Sequence, residues 1–398
     1  MYRAVDCQGF AGGFTLGMVQ AGFTLVGKRE MKGGFGVANC EANRHLLGAS
    51  WVAESTDHER WTPVDADVVF GNPPCSGFSV MSAKDFRGAD SKINHCMWAF
   101  VDYAAKVRPY VAVFESVQNA FTSDGGHALM VQLRERLEDR TGDSYTLHHV
   151  RHNAIAVGGA AVRRRYFWLA SRIPFGVERT RLHRFPLLTD VIGDLDNLSH
   201  TWQAQPYRRP GSWWSDTRRS SEGSVDGHVG LSNPLIRRIG DLLAGVDWLP
   251  GEAIGQVASK YWDKHAKLPD SWADTEEKIV KNEFFMGFTT PVRWHGDRYG
   301  RVVTGGGLHN IVHPYLDRTV THREVARILG FPDDWRILPL RHVSGLNMTW
   351  GKGITVDCGR WIGRWIRAAL DGQPGSYVGT PLGDREFDID LTNDYPKL

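Results

Sequence analysis

Buried-strand patterns alternate with helical spacing from Tyr2 to Arg172. Tyr2–Val5 reads as a short apolar strand running into the turn DCQGFAGGFTLG, and GMVQAGF behind it is helix-compatible. FTLVGKRE follows as a second strand ending at Glu30, and NCEANRHLLG as a helix anchored by Leu46 and Leu47. ADVVF is a β-branched strand stopped by Gly71-Asn72-Pro73-Pro74. INHCMWAFVDYAAKVRP has helical spacing up to Pro109, and YVAVFESV is another buried strand with Glu115 at its exit. HALMVQLRERLEDRTG is an amphipathic helix closed by Gly142; YTLHHVRHNAIAVGG and RRYFWLASR read as later strands. This order predicts a parallel α/β sheet with ligands beyond the carboxyl ends of its strands.

The pattern is lost between Ser199 and Gly230, a stretch of Gly, Ser, Arg and Trp without a period. It reads as a long loop or the entrance to a separate domain. Residues 231–310 stay irregular, then THREVARILGFPDDW returns to a helix ended by Gly330-Phe331-Pro332. CGRWIGRWIRAAL reads as the final helix, and the residues after it as a polar tail. A 42% hydrophobic content with a formal charge of +2 fits a protein with a sizeable core and argues against disorder. No apolar run approaches the roughly 18–20 residues of a membrane span. The amino terminus lacks the apolar stretch of a signal peptide. Five Cys make no disulfide scaffold, and no Cys/His spacing suggests a metal. A reducing, cytoplasmic setting is expected. Most of the 47 basic residues are Arg, which suits phosphates and base edges but also follows from GC-rich coding. The near-zero net charge leaves room for a local basic face.

Four places could carry chemistry. The Gly-rich turn with Gly9, Gly12, Gly13 and Gly17 could admit a nucleotide-like ligand, or serve packing alone. Glu30, at the end of the next strand, stands where an acid could receive ribose hydroxyls, or is a surface Glu. In Asn72-Pro73-Pro74-Cys75-Ser76-Gly77, two prolines hold one Cys just after a strand. Cys75 there is either a nucleophile, if its pKa is lowered so that the thiolate forms, or a small buried apolar residue. Glu115 leaves a strand as a possible proton donor, and Arg163 and Arg165, two residues apart, share one side of a strand. Those arginines could grip an anion, orient Glu115, or belong to a surface ion-pair network.

In order and spacing, these segments resemble the DNA (cytosine-5) methyltransferase family. The resemblance is carried by Asp6–Gly17, by Pro73–Ser79 with Cys75, and by Glu115-Ser116-Val117. Further along, it is carried by Asn153–Leu169, Arg318–Trp335 and Gly351–Val356. It implies a Rossmann-like S-adenosylmethionine-dependent catalytic domain with a smaller irregular target-recognition domain. The catalytic domain would span residues 1–198 and 306–398, with recognition in 199–305. Cys75 would add to C6 of a flipped cytosine, Glu115 would bind its N3 edge, and Arg165 with Arg163 would hold the base and its surroundings. Asp6, Phe10, Gly12, Gly13, Phe14, Thr15, Leu16, Glu30, Asn72, Pro73 and Val356 would surround the methyl donor S-adenosylmethionine. No metal is required. The resemblance implies double-stranded DNA as partner and a monomer as the working unit. It also implies a prokaryotic or viral modification enzyme in a bacterial or virus-infected cell, without a membrane.

The chain departs from the family pattern at several points. Gln8 and Phe10 replace an aromatic and a spaced Gly, Ser116 replaces Asn, and Ala161 replaces Gln. Lys352 stands for Asn, and Asn72 for Gly. These changes leave two alternatives open: a cytosine C5-modifying enzyme with a different donor or added group, and an inactive DNA-binding relative.

Overall fold

The structure is a computed structural model. It describes residues 1–32, 34, 36–78, 88–89, 91–179, 184–197, 249–253, 256, 292–303, 311–315, 320, 322–336 and 350–394. The chain divides into two compact units. One is built from Met1–Phe185, Leu329–Arg336 and Gly353–Leu398, the other from Pro186–Ile328 and Ile337–Lys352. The proposed recognition segment, 199–305, lies for the most part outside the described residues.

The first unit opens with β1 (Arg3–Cys7), α1 (Gly13–Gln20), β2 (Thr24–Glu30), β3 (Val52–Ser55) and β4 (Val68–Gly71). It continues with α2 (His95–Val107), β5 (Val111–Ser116), α3 (Asp124–Thr141), β6 (Thr146–Asn153) and β7 (Arg164–Ser171). The second unit contributes β8 (Val292–Arg293) and β9 (Ile311–Val312), and the first closes with α4 (Val356–Leu370), β10 (Thr380–Gly383) and β11 (Glu386–Leu391). Nine strands form one sheet in the order β10-β11-β6-β7-β5-β4-β1-β2-β3. The α/β class is as expected, but the sheet is mixed and not all parallel: β7 runs antiparallel to both β5 and β6, and β10 to β11.

The central strands β4 and β5 are buried along their whole length, as a sheet covered on both faces requires. Behind them Phe114 stacks on Trp168 at 5.0 Å, and Phe100 meets Phe114 edge-on. α3 begins at Ser123, whose hydroxyl accepts from the Gly126 amide, and ends at Gly142 with φ of 70°. NCEANRHLLG forms two short helices, Gly36–Ala42 and Arg44–Leu47, where one was expected. The Asn43 side chain at the break is hydrogen-bonded to both backbone groups of Arg336.

Strand order reverses on either side of β1, between β2 and β4. The carboxyl ends of β1, β2, β4 and β5 therefore border one crevice, which is where sheets of this kind take ligands. Because β7 runs antiparallel to β5, with Ser116 opposite Tyr166, its amino-terminal arginines reach the same edge.

The segment expected to be a polar tail is a β-hairpin at the far edge of the sheet. β11 lies parallel to β6, with Glu386 opposite Leu147 and Asp388 opposite His149. EFDIDL alternates charged and apolar residues, and both faces are used. Ile389 and Leu391 are buried, while Asp388 and Asp390 pair with Arg151. In the second unit β8 and β9 pair in parallel, and Trp350 Nε1 donates to His322 Nδ1 at 3.1 Å.

Candidate active site

Two groups of polar residues occupy the carboxyl edge. The first surrounds the turn after β1. Asp6 is buried and its Oδ2 lies 2.7 Å from the ammonium of Lys28, which is itself fully buried on β2. Thr15 donates its hydroxyl to the same carboxylate oxygen. Burial would strip the proton from Lys28, but the Asp6 charge outweighs it and raises the ammonium above its usual range. Glu30, at the end of β2, is pushed up to about 7 by burial, against the pull of Lys28. Gln8 holds a left-handed backbone at φ 62° and donates its side-chain amide to the Cys96 carbonyl at 2.9 Å.

This turn has the donor set of a polar ligand site. Asp6 Oδ1, Gln8 Oε1 and Glu30 Oε2 are buried with no hydrogen-bond partner among the described residues. Side chains are absent where they would intrude: a Cβ at Gly9 would meet the Lys28 ammonium, and one at Gly36 would meet Glu30 Oε2. Two carboxylates beside one ammonium fit a ligand carrying an amino acid head and ribose hydroxyls, which is the chemistry of S-adenosylmethionine.

Other residues expected around the donor are closely packed. Gly12 caps α1 at φ 90°, and a Cβ there would lie 2.7 Å from Trp335. Gly13 and Gly17 leave room for the backbone at Ile354 and at the start of α4. Phe14 packs on Phe70 and Phe167, Leu16 is in the core, and Val356 is fully buried at the first position of α4. Phe10 is half-buried, with its carbonyl taking the Asn39 amide.

The second group lies at the exits of β4 and β5. Cys75 is partly exposed, whereas the other four cysteines are buried. Glu115 is buried at 1% exposure, with Arg165 Nε 2.6 Å from its Oε1. Burial pushes Glu115 well above the usual carboxylate range, and the two arginines, Arg165 before Arg163, oppose this. Burial also raises the Cys75 thiol, and the Glu115 charge adds to that. Arg165, the Ser116 hydroxyl and the Val117 amide favour its thiolate. Arg163, fully buried, donates its guanidinium to the Gly353 carbonyl, and its backbone amide donates to Asn153 Oδ1 at 2.9 Å. Arg163 thus anchors the closing motif behind the site, while Arg165 faces Glu115.

Two residues gain assignments that sequence reasoning did not make. Asn72, expected beside the donor, gives its side-chain amide to Glu115 Oε2, and Pro73 next to it is buried. Lys28 was read only as part of a strand. The sequence hides its role, because Lys28 opens the charged run Lys28-Arg29-Glu30 at the end of its strand; all three are buried, and a buried Lys needs a partner.

A partly exposed thiol, a buried carboxyl–arginine pair and a turn with unpartnered buried oxygens thus share the carboxyl edge of a Rossmann-like α/β sheet. The chain belongs to the C-5 cytosine-specific DNA methylase family, whose profile matches residues 2–367. It is 25% identical over 364 residues to DNA (cytosine-5)-methyltransferase 1A of Oryza sativa subsp. japonica, covering 80% of this chain and 23% of the relative. The chain therefore spans less than a quarter of that relative's length. It is 23% identical over 354 residues to the type II methyltransferase M.XorII of Xanthomonas oryzae pv. oryzae, covering 83% of this chain and 77% of the relative. Among solved structures, a prophage-encoded E. coli protein described as a DNA modification methyltransferase matches with a TM-score of 0.60 at 16% identity. That match covers 93% of this chain and 100% of the other, and concerns the fold. No described helix is long and apolar enough to cross a membrane.

Proposed function

We propose that this protein methylates C5 of cytosine in double-stranded DNA with S-adenosylmethionine as donor, acting as a monomer through a covalent Cys75–C6 adduct. The reading rests on one observation: Cys75 at the exit of β4 shares its surroundings with the buried Glu115–Arg165 pair. C5 of an aromatic cytosine is a poor nucleophile. Addition of the Cys75 thiolate to C6 breaks the aromaticity, and Glu115, which burial pushes up to about 7, donates in its protonated form to N3 as negative charge develops there. C5 then has enamine character. Asp6, Lys28 and Glu30 would hold the donor, which when bound supplies an electrophilic methyl group. Loss of the C5 proton to water expels the Cys75 thiolate, and return of the N3 proton to Glu115 restores the ring and the carboxyl. Arg165 fixes the Glu115 carboxyl throughout. A stacked base cannot reach a thiol in this crevice, so the target cytosine is flipped out of the duplex.

Nucleoside mass spectrometry on DNA from a host expressing the protein tests the reading. One added methyl on cytidine, absent with Cys75→Ser, is the expected result. A different added mass points to another donor. A target duplex with 5-fluorocytosine should trap the wild-type protein covalently; failure to trap on any methylated site removes the covalent route.

A further inference from the structure

His127, His149 and Glu386 converge toward the β10 edge of the first unit's sheet, at strands that do not neighbour β1. They come from three elements far apart in sequence: α3, β6 and the hairpin strand β11. His149 Nε2 lies 2.6 Å from Glu386 Oε1, and His127 Nε2 lies 3.5 Å from the same oxygen. The two imidazoles stack with centroids 5.5 Å apart, and one ligand atom from each residue falls within 4.8 Å of the others. Glu386 and His149 are buried, and His127 is 41% exposed, so the cluster opens to solvent on one side.

We infer that these three side chains form a binding site for a divalent transition-metal ion, zinc before others, that clips the carboxyl-terminal hairpin to the sheet. Two imidazoles and one carboxylate are a donor set suited to zinc, with a fourth position left for water on the exposed side. Metal–ligand bonds of about 2.0–2.2 Å in a tetrahedron place donor atoms about 3.3–3.5 Å apart. The His127–Glu386 distance already meets this, and the His149–Glu386 pair opens by less than an ångström when the ion replaces its shared proton. Phe121 stands edge-on to His149 at 5.6 Å and limits the ring's movement. Arg134, the nearby cation, is turned to the Asp384 carbonyl at 3.1 Å. Glu386 lies beyond residue 367, where the family match ends, whereas His127 and His149 lie within it. Widely separated ligands also explain why no His or Cys spacing announced it.

The test uses the untagged full-length protein, stripped with chelator and titrated with zinc, then with cobalt(II) as a spectroscopic probe. One equivalent of zinc should bind, and cobalt should give the intense visible bands of a four-coordinate ion. His127→Ala alters an exposed side chain, so the fold should survive. It should weaken zinc by more than about tenfold, since even an outer partner of a metal ligand costs 10–100-fold. Glu386→Gln should weaken it likewise, and Cys75→Ser should leave it unchanged. Wild-type protein that takes up no zinc, or His127→Ala that binds as the wild type does, overturns the proposal. So does loss of binding with Cys75→Ser, which would place the ion on the active-site thiol.

Discussion

Asn72 holds Glu115 from the side opposite Arg165: its amide donates to Oε2, while Arg165 Nε lies 2.6 Å from Oε1. Relative to the family pattern, an amide is missing after Glu115, where Ser116 stands, and one is gained at Asn72. The carboxyl thus keeps an amide partner from the turn after β4, and Ser116 sets its hydroxyl beside the Cys75 thiol. Asn72→Gly removes a hydrogen bond to a buried charged group, worth about 1.5–3 kcal/mol. The expected outcome is a fall in kcat of roughly ten- to a hundredfold by the same arithmetic, measured as methyl incorporation into DNA. An unchanged kcat would assign Asn72 to packing alone.

The Cys75–Glu115 pair sets the pH dependence. Burial raises both groups, Glu115 against the pull of Arg165, and the Glu115 charge raises Cys75 further. The competent form is a thiolate beside a protonated carboxyl, and it carries the same single proton as the thiol–carboxylate form. Its share is therefore constant on a plateau between the pair's two apparent pKa values. Below the lower value the pair gains a second proton and the thiolate is lost; above the upper value Glu115 loses the proton it donates. The profile of kcat/KM should be bell-shaped, with an acid limb well above the ordinary Glu value of about 4.3. In Glu115→Gln that limb should disappear, and the residual rate should climb steadily with pH as Cys75 ionises alone. A flat profile for Glu115→Gln would show that thiolate formation does not limit the reaction.

The sheet and the two strand-exit residues Cys75 and Glu115 were legible because buried strands show as apolar runs, and a polar residue ending one marks the ligand edge. The pairings were not. Asn72 reaches Glu115 across 43 positions and Lys28 reaches Asp6 across 22, so neither contact leaves a local pattern. Motif position assigned Phe14, Leu16 and Val356 to the donor site, and the fold adds that all three side chains are packed in the core. The hairpin was read as a tail because EFDIDL carries as much charge as apolar surface. Its charges are satisfied by Arg151 and His149, which only the fold brings alongside.

Lys28 and Asp6 make a stability prediction. With both side chains buried, replacing Lys28 by Met leaves an unpaired carboxylate in the core, at a cost of about 3–5 kcal/mol. Urea unfolding should show a midpoint lowered accordingly. Combining Lys28→Met with Asp6→Asn removes the orphaned charge and should recover much of the loss. If the double variant is no more stable than the single one, the ion pair is not what holds β2 to β1.

Gly17 separates the packing role of the Gly-rich turn from its ligand role. A Cβ at this position would lie 2.5 Å from the Arg360 backbone nitrogen and 2.6 Å from the Val356 carbonyl oxygen. Both are main-chain atoms of α4, held by a helix whose first turn is capped by the Thr355 hydroxyl on the Cys358 amide at 3.2 Å. No flexible side chain can yield, so the two helices must part. Gly17→Ala should therefore lose about 1–3 kcal/mol, the range for forcing a methyl group into a filled interior. Gly9 differs, since its Cβ would meet the end of Lys28 beside Asp6 and not a backbone. Gly9→Ala should raise the donor's KM with a smaller change in stability. The comparison needs a urea midpoint and a donor titration on each variant. Equal losses of stability with unchanged KM would mean that both glycines serve packing.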